Sequence, residues 1–196
     1  MMENKDLPLE LVLIGGSSGS FVIFEEILKL LDRPLSCAIL FVLHRGKSSL
    51  SELPKLFRSK TQVRMEEPQH LDPIMKNCIY FAVPDYHLLV GPDERFYLDG
   101  TEKDFFSRPS LDATFISAAQ SGIYIKAAMI FSGASEDGAL GMKIIAERGF
   151  KTYVQNPTIA EVERMPAAAI RTHGKHHILT ENVFEEIRSI LYSYST

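Results

Sequence analysis

The chain has 196 residues, 45% of them hydrophobic and 23% charged, with 21 basic against 25 acidic side chains and a formal charge of −4. This is ordinary globular composition with length for one sizeable core, so a single domain over residues 1–196 is expected. The acidic balance and the scattered Lys and Arg exclude a general nucleic-acid binder. No apolar run approaches the roughly 20 residues needed to cross a bilayer.

Met1 to Glu10 is polar and lacks the basic start and apolar stretch of a signal peptide, which predicts a cytoplasmic protein. Cys37 and Cys78 lie in apolar stretches and read as free buried thiols of a reducing compartment. In chain order, the apolar run Leu11-Val12-Leu13-Ile14 leads into a Gly/Ser turn from Gly15 to Ser20. Phe24, Ile27, Leu28 and Leu31 then fall at helical spacing on one face, and Pro34 marks the helix end. Ala38 to Leu43 is apolar throughout, as in a strand covered on both sides of a parallel sheet. Strand, helix and strand at this spacing make a βαβ unit.

Ser48 to Ser59 reads as a second helix and Gln62 to Met65 as a short strand. Ile79 to Val83, His87 to Val90 and Phe96 to Leu98 are short strands between Pro-Asp and Gly-Pro-Asp turns, which predicts an antiparallel excursion. A helix from Ser110 to Gly122 and a buried strand at Ala127 to Phe131 follow. The rest alternates: helix Gly138 to Arg148, strand Thr152 to Gln155, helix Pro166 to Arg171, strand His177 to Leu179, helix Val183 to Tyr194. The expected fold is α/β: a three-layer, doubly wound, largely parallel sheet with helices on both faces and a short antiparallel excursion.

Such folds bind ligands beyond the carboxyl ends of their strands. Three strongly apolar strands are each followed there by polar residues. The sets are Gly15 to Ser20, then His44-Arg45-Gly46-Lys47, then Ser132-Gly133-Ala134-Ser135-Glu136-Asp137-Gly138. A serine, a histidine and an aspartate can therefore meet at one edge.

Gly15 to Gly19 also fits G-x-S-x-G at a strand-to-helix turn, which presents Ser17 at the sheet edge. The first N–H groups of the next helix, Ser18 among them, point the same way and favour developing negative charge. Each residue also has a structural reading: Ser17 or Ser18 as a helix N-cap, His44 as a hydrogen-bonded core histidine, Asp137 as a cap of the following helix. Glu136 is a neighbouring acid, read as solvated.

His70 and His87 fall in the β excursion, while His173, His176 and His177 cluster near Gly174 without the carboxylate or cysteine a metal site needs, so no metal is expected. Two phosphate-binding readings fail on spacing. The first turn lacks a full G-x-G-x-x-G and the second strand ends in Leu43-His44 rather than an acid; Gly46-Lys47-Ser48 has Phe41 where a P-loop begins with glycine.

With these residues in view, the chain resembles the catalytic domain of the chemotaxis receptor-glutamate methylesterases of the CheB type, from about Leu11 to Ile178. Ile14 to Gly19 is similar to the family's nucleophile turn, and Val42-Leu43-His44 to its histidine strand end. Tyr80 to Pro84 with His87, Arg108-Pro109-Ser110-Leu111-Asp112, Phe131 to Gly141, Gln155-Asn156-Pro157 and Met165 to Ile170 resemble further blocks.

The resemblance implies a Ser-His-Asp esterase needing no cofactor. Ser17 would be the nucleophile, His44 the general base and acid, and Asp137 the residue orienting His44. The substrate implied is a glutamyl methyl ester on a methylated chemoreceptor or related signalling protein, with glutamine deamidation by the same route.

It also implies an oxyanion and substrate loop at Ser18 and Ala134. There the chain departs: Ala134-Ser135 stands where the family has Met-Gly, Ser20 where a second glycine is usual, and Arg164 where glycine precedes Met165-Pro166. Only about ten residues precede the first strand, so a stand-alone domain without a receiver domain is expected, unregulated or controlled by a separate partner. The alternative is a weak or inactive module that binds a receptor or signalling protein on the same fold.

Overall fold

The computed structural model describes residues 8–44, 53–102 and 107–193. Seven parallel strands form the main sheet: β1 (Glu10–Gly16), β2 (Ala38–Leu43), β3 (Arg64–Glu66), β4 (Cys78–Phe81), β7 (Tyr124–Ile130), β8 (Thr152–Gln155) and β9 (His177–Leu179). Their order is β3-β4-β2-β1-β7-β8-β9. β5 (His87–Val90) and β6 (Phe96–Asp99) pair antiparallel as a separate ribbon.

The expected excursion is thus narrower than the sequence suggested. The stretch around Ile79 to Phe81 belongs to the parallel sheet, where Ala38 to Phe41 of β2 pair with Cys78 to Phe81. Its four residues are all buried, as a strand covered on both faces requires.

Alternation along β1 divides the core in two. Leu11 and Leu13 face one cluster, shared with α3 (Leu111–Gln120), α4 (Ala139–Glu147), α5 (Arg164–Thr172) and the ribbon. Val12 and Ile14 face the other, shared with α1 (Phe21–Lys29), α2 (Leu53–Phe57) and α6 (Val183–Tyr192). In the second cluster the rings of Phe24, Phe41, Phe81 and Phe57 follow one another at centroid separations of 4.9, 5.2 and 5.7 Å. Such pairs contribute about 0.5–1.5 kcal/mol each beyond simple burial.

α1 stops at Lys29, short of Pro34, yet Leu31 is still buried in the turn beyond it. The expected helix at Ser48 to Ser59 is seen as α2, its first part lying outside the described residues.

Cys37 and Cys78 are buried and free, and they face opposite sides of the sheet. Burial pushes the Cys37 thiol up to about 11 and raises that of Cys78 as well. The thiolate is the reactive form. Titration with a disulfide reagent should therefore find no rapidly reacting thiol in the native protein and two in denaturant; a fast native reaction would contradict this burial.

Candidate active site

β1 lies in the middle of the sheet, with β2 on one side and β7 on the other. The chain crosses from one side of β1 to the other here, the place where strand ends open a crevice. Registers align the three ends: Gly16 pairs with Leu43, and Gly15 with Ile130. The next residues of β1 and β2 are Ser17 and His44, and the His44 N–H still donates to the Gly16 carbonyl at 3.2 Å. Serine and histidine thus leave adjacent strands at the same level.

The turn that carries Ser17 is held from several directions. Ser17 N–H donates to the Ser132 carbonyl at 2.9 Å, and Ser20 Oγ donates to the Ser17 carbonyl at 2.6 Å. Ser132 Oγ donates to the Ser18 carbonyl at 2.7 Å and accepts from Val162 N–H at 2.9 Å. Gly19 sits at φ +79, a left-handed conformation that a β-carbon disfavours. Ser20, which replaces a glycine of the family pattern, is buried and occupied in this turn. Ser18 is exposed.

Asp137 is fully buried, and four donors converge on its carboxylate. Oδ2 accepts from His44 Nε2 at 2.6 Å and from Leu111 N–H at 2.7 Å. Oδ1 accepts from Ser110 Oγ and from Asp112 N–H, each at 2.9 Å. Two of the amides that α3 cannot bond internally therefore point at this anion, together with the positive end of the helix. Burial raises the carboxyl's pKa, but the His44 hydrogen bond and the α3 amides outweigh it and hold the group below the usual carboxylate range.

The alternative structural reading of Asp137, as a cap of the helix after it, does not hold. Gly138 takes the N-cap position of α4 at φ 90, and the Asp137 side chain turns to the start of α3 instead. A residue other than glycine at 138 would be strained there, and its β-carbon would meet Ile130 Cδ1 at 2.8 Å.

Ala134 is exposed on the loop between β7 and Asp137. Ser135 is not among the positive-φ residues, and its Oγ accepts the Asp137 N–H at 3.3 Å. Serine is therefore accommodated without strain where the family pattern has glycine. Glu136 and Arg164 form an exposed cluster with Arg171, at 3.7 and 3.3 Å from the carboxylate to the two guanidinium groups.

The structure brings Ser17, His44 and Asp137 to one edge. Among the described residues, the Ser17 hydroxyl makes no hydrogen bond to the ring of His44; in unliganded sites such contacts are often long and tighten with substrate. Arg45, Gly46 and Lys47 lie outside the described residues. A cavity of about 700 Å³, lined by residues such as Pro54, Arg64, Glu66 and Tyr80, lies at the β3 edge and includes none of the three.

Two residues that the sequence reading placed in family-like blocks without a site role lie directly behind this carboxylate. Ser110 is buried and is the N-cap of α3, accepting from Ala113 N–H at 3.2 Å while donating to Asp137. A serine two residues before the acid Asp112, at the start of an apolar helix, was the signal for this cap. His87 is buried behind Ser110.

A serine beside a histidine bridged to a buried carboxylate, at the carboxyl edge of a parallel sheet, is an arrangement suited to serine-esterase chemistry. Comparison with known proteins narrows the class. The CheB methylesterase family model matches residues 12–187. A protein of Leptospira interrogans, named as a candidate protein-glutamate methylesterase/protein-glutamine glutaminase, is 32% identical over 178 residues, covering 91% of this chain and 92% of that protein.

Protein-glutamate methylesterase FrzG of Myxococcus xanthus is 30% identical over 172 residues, 88% of this chain but 52% of FrzG. The chain thus spans about half of FrzG and nearly all of the Leptospira protein. The CheB methylesterase catalytic domain of Thermotoga maritima shares the fold with a TM-score of 0.83 at 22% identity, covering 94% of this chain and all of that one. This chain belongs to the CheB methylesterase family.

Proposed function

We propose that residues 1–196 act as one catalytic unit, a serine esterase that hydrolyses glutamyl methyl esters on a methylated chemoreceptor or related signalling protein and releases methanol. The observation that carries the reading is the 2.6 Å bond from His44 Nε2 to buried Asp137, beside Ser17 on the adjoining strand. The relatives named protein-glutamate methylesterase support the substrate class. Deamidation of selected glutamines, which the name of the Leptospira protein also carries, follows the same chemistry with ammonia as leaving group.

Nε2 is engaged by Asp137, so Nδ1 is the ring nitrogen that takes the Ser17 proton. Ser17 Oγ bonds to the ester carbonyl carbon, and the oxyanion forms beneath backbone N–H groups of Ser18 and the Ala134 loop. His44 returns the proton to the departing methoxy oxygen as the carbon–oxygen bond breaks. Water, deprotonated by the same ring, then hydrolyses the acyl-enzyme to free glutamate and restores Ser17. Asp137 keeps the imidazole oriented and stabilises its charged form in both halves.

A cytoplasmic location, on the side where such receptors are methylated, is part of the proposal; among the described residues no helix is long and apolar enough to cross a membrane. Control by a separate regulatory partner is part of the same proposal. The test is incubation with methyl-labelled receptor. Methanol should be released catalytically, and a serine-directed phosphonate should label Ser17. Stoichiometric binding without turnover or labelling would instead establish the non-catalytic binding module.

A further inference from the structure

Behind the carboxylate the hydrogen bonds continue in one unbroken line. Ser110 Oγ donates to Asp137 Oδ1 at 2.9 Å, and Ser110 N–H donates to His87 Nδ1 at 3.2 Å. His87 Nε2 in turn donates to the Glu102 carbonyl at 2.9 Å. A carbonyl oxygen can only accept, so the His87 proton resides on Nε2 and Nδ1 keeps its lone pair for Ser110. His87 is 2% exposed and Ser110 fully buried, so the link between these two residues is shielded from water.

Helix chemistry explains why a histidine is needed. The N-cap's own amide has no partner within its helix, and a Glu or Gln at the third helical position commonly reaches back to it. In α3 that position is Ala113, which has nothing to offer. His87, on the first strand of the antiparallel ribbon, supplies the missing acceptor from outside the helix.

We propose that His87 is a positioning residue for the esterase reaction: through the Ser110 amide it fixes the hydroxyl that orients Asp137, and so the imidazole of His44. This rests on the triad reading above and extends it to a residue of the ribbon. Displacements of about 1 Å in such a supporting group can cost about 10²-fold in rate.

Two substitutions separate positioning from simple space-filling. In His87→Asn an amide oxygen stands near the place of Nδ1 and can accept from Ser110, while the reach to Glu102 is lost. In His87→Gln the amide stands near Nε2, keeps the Glu102 contact and most of the volume, and leaves the Ser110 amide without its acceptor. Expected is a kcat within about threefold of the parent for Asn and at least about tenfold lower for Gln, with KM within about twofold in both. Equal values, or the reverse order that volume alone demands, would overturn the proposal.

The unsubstituted chain supplies an arm that depends on no variant's folding. Long-range ¹H–¹⁵N spectra should show His87 protonated on Nε2 alone, and a proton on Nδ1 would overturn the proposal. Ser17→Ala, run in parallel, keeps the two readings apart. If it still released methanol the triad reading would fail. The His87 tautomer, and the displacement of the low-field His44 Nε2–H resonance in Gln but not in Asn, would still decide the positioning claim.

Discussion

Ser17→Ala should abolish methanol release from methylated receptor, by about 10⁴ to 10⁶-fold, while the protein melts as before. Loss of a triad nucleophile removes the covalent route and leaves only binding and oxyanion stabilisation, which sets that scale. The fold should tolerate the change. Among the described residues, Ser17 bonds through its backbone, to Ser132 and Ser20, and alanine preserves both contacts. Methanol release measured with parent and variant side by side decides it: an alanine variant of unchanged activity would remove Ser17 from the mechanism.

Asp137→Asn should be inactive and also unstable, which Ser17→Ala is not. Each carboxylate oxygen accepts a backbone amide, Oδ2 from Leu111 and Oδ1 from Asp112. An asparagine must turn its NH₂ toward one or the other, so either orientation sets two donors face to face. We expect a loss of about 3 kcal/mol, the scale of an unsatisfied group at a buried charge-assisted cluster. Rate should fall about 10⁴-fold with the loss of the orienting carboxylate.

Acid makes the two effects separable. The folded carboxyl lies below the usual carboxylate range, because the His44 bond and the α3 amides prevail over burial. Its contribution is therefore complete above the ordinary value, about 3.9, and is lost as pH falls through the lower folded value. Urea melts should show the widest gap between parent and Asp137→Asn near neutral pH and a narrowing gap in strong acid. A gap that does not change with pH would mean that ionisation of this carboxyl contributes nothing to stability.

Much of this site was legible before any coordinates. The rule that parallel strands deliver ligands at their carboxyl ends selected the three polar segments after β1, β2 and β7, and these strands are neighbours in the sheet. Continuous apolar runs marked β2 and β7 because both faces are covered. β4 was misplaced for the opposite reason: four residues between turn-forming neighbours look the same in a ribbon as in a sheet. Asp137 lies beside His44 at the strand end the pattern selected, but its nearest helix in sequence was α4, whereas the amides it binds begin α3, 26 residues earlier for Leu111. Local pattern reports neighbours along the chain. It could not report that Ser110 and His87 meet behind Asp137, because their partners are remote in sequence.

The links around Ser132 have a consequence for the order of synthesis. When residue 137 leaves the ribosome, the serine, the histidine and the aspartate have all been made. Yet Ser132 Oγ, which holds the Ser18 carbonyl, itself waits for the Val162 amide, and Gly133 N–H and carbonyl wait for Val162 and Met165. A nascent chain paused before residue 162 therefore carries all three proposed triad residues while the Ser17 turn still lacks part of its bracing. Competence as an esterase should appear only as α5 emerges, later than the residues proposed to perform the chemistry.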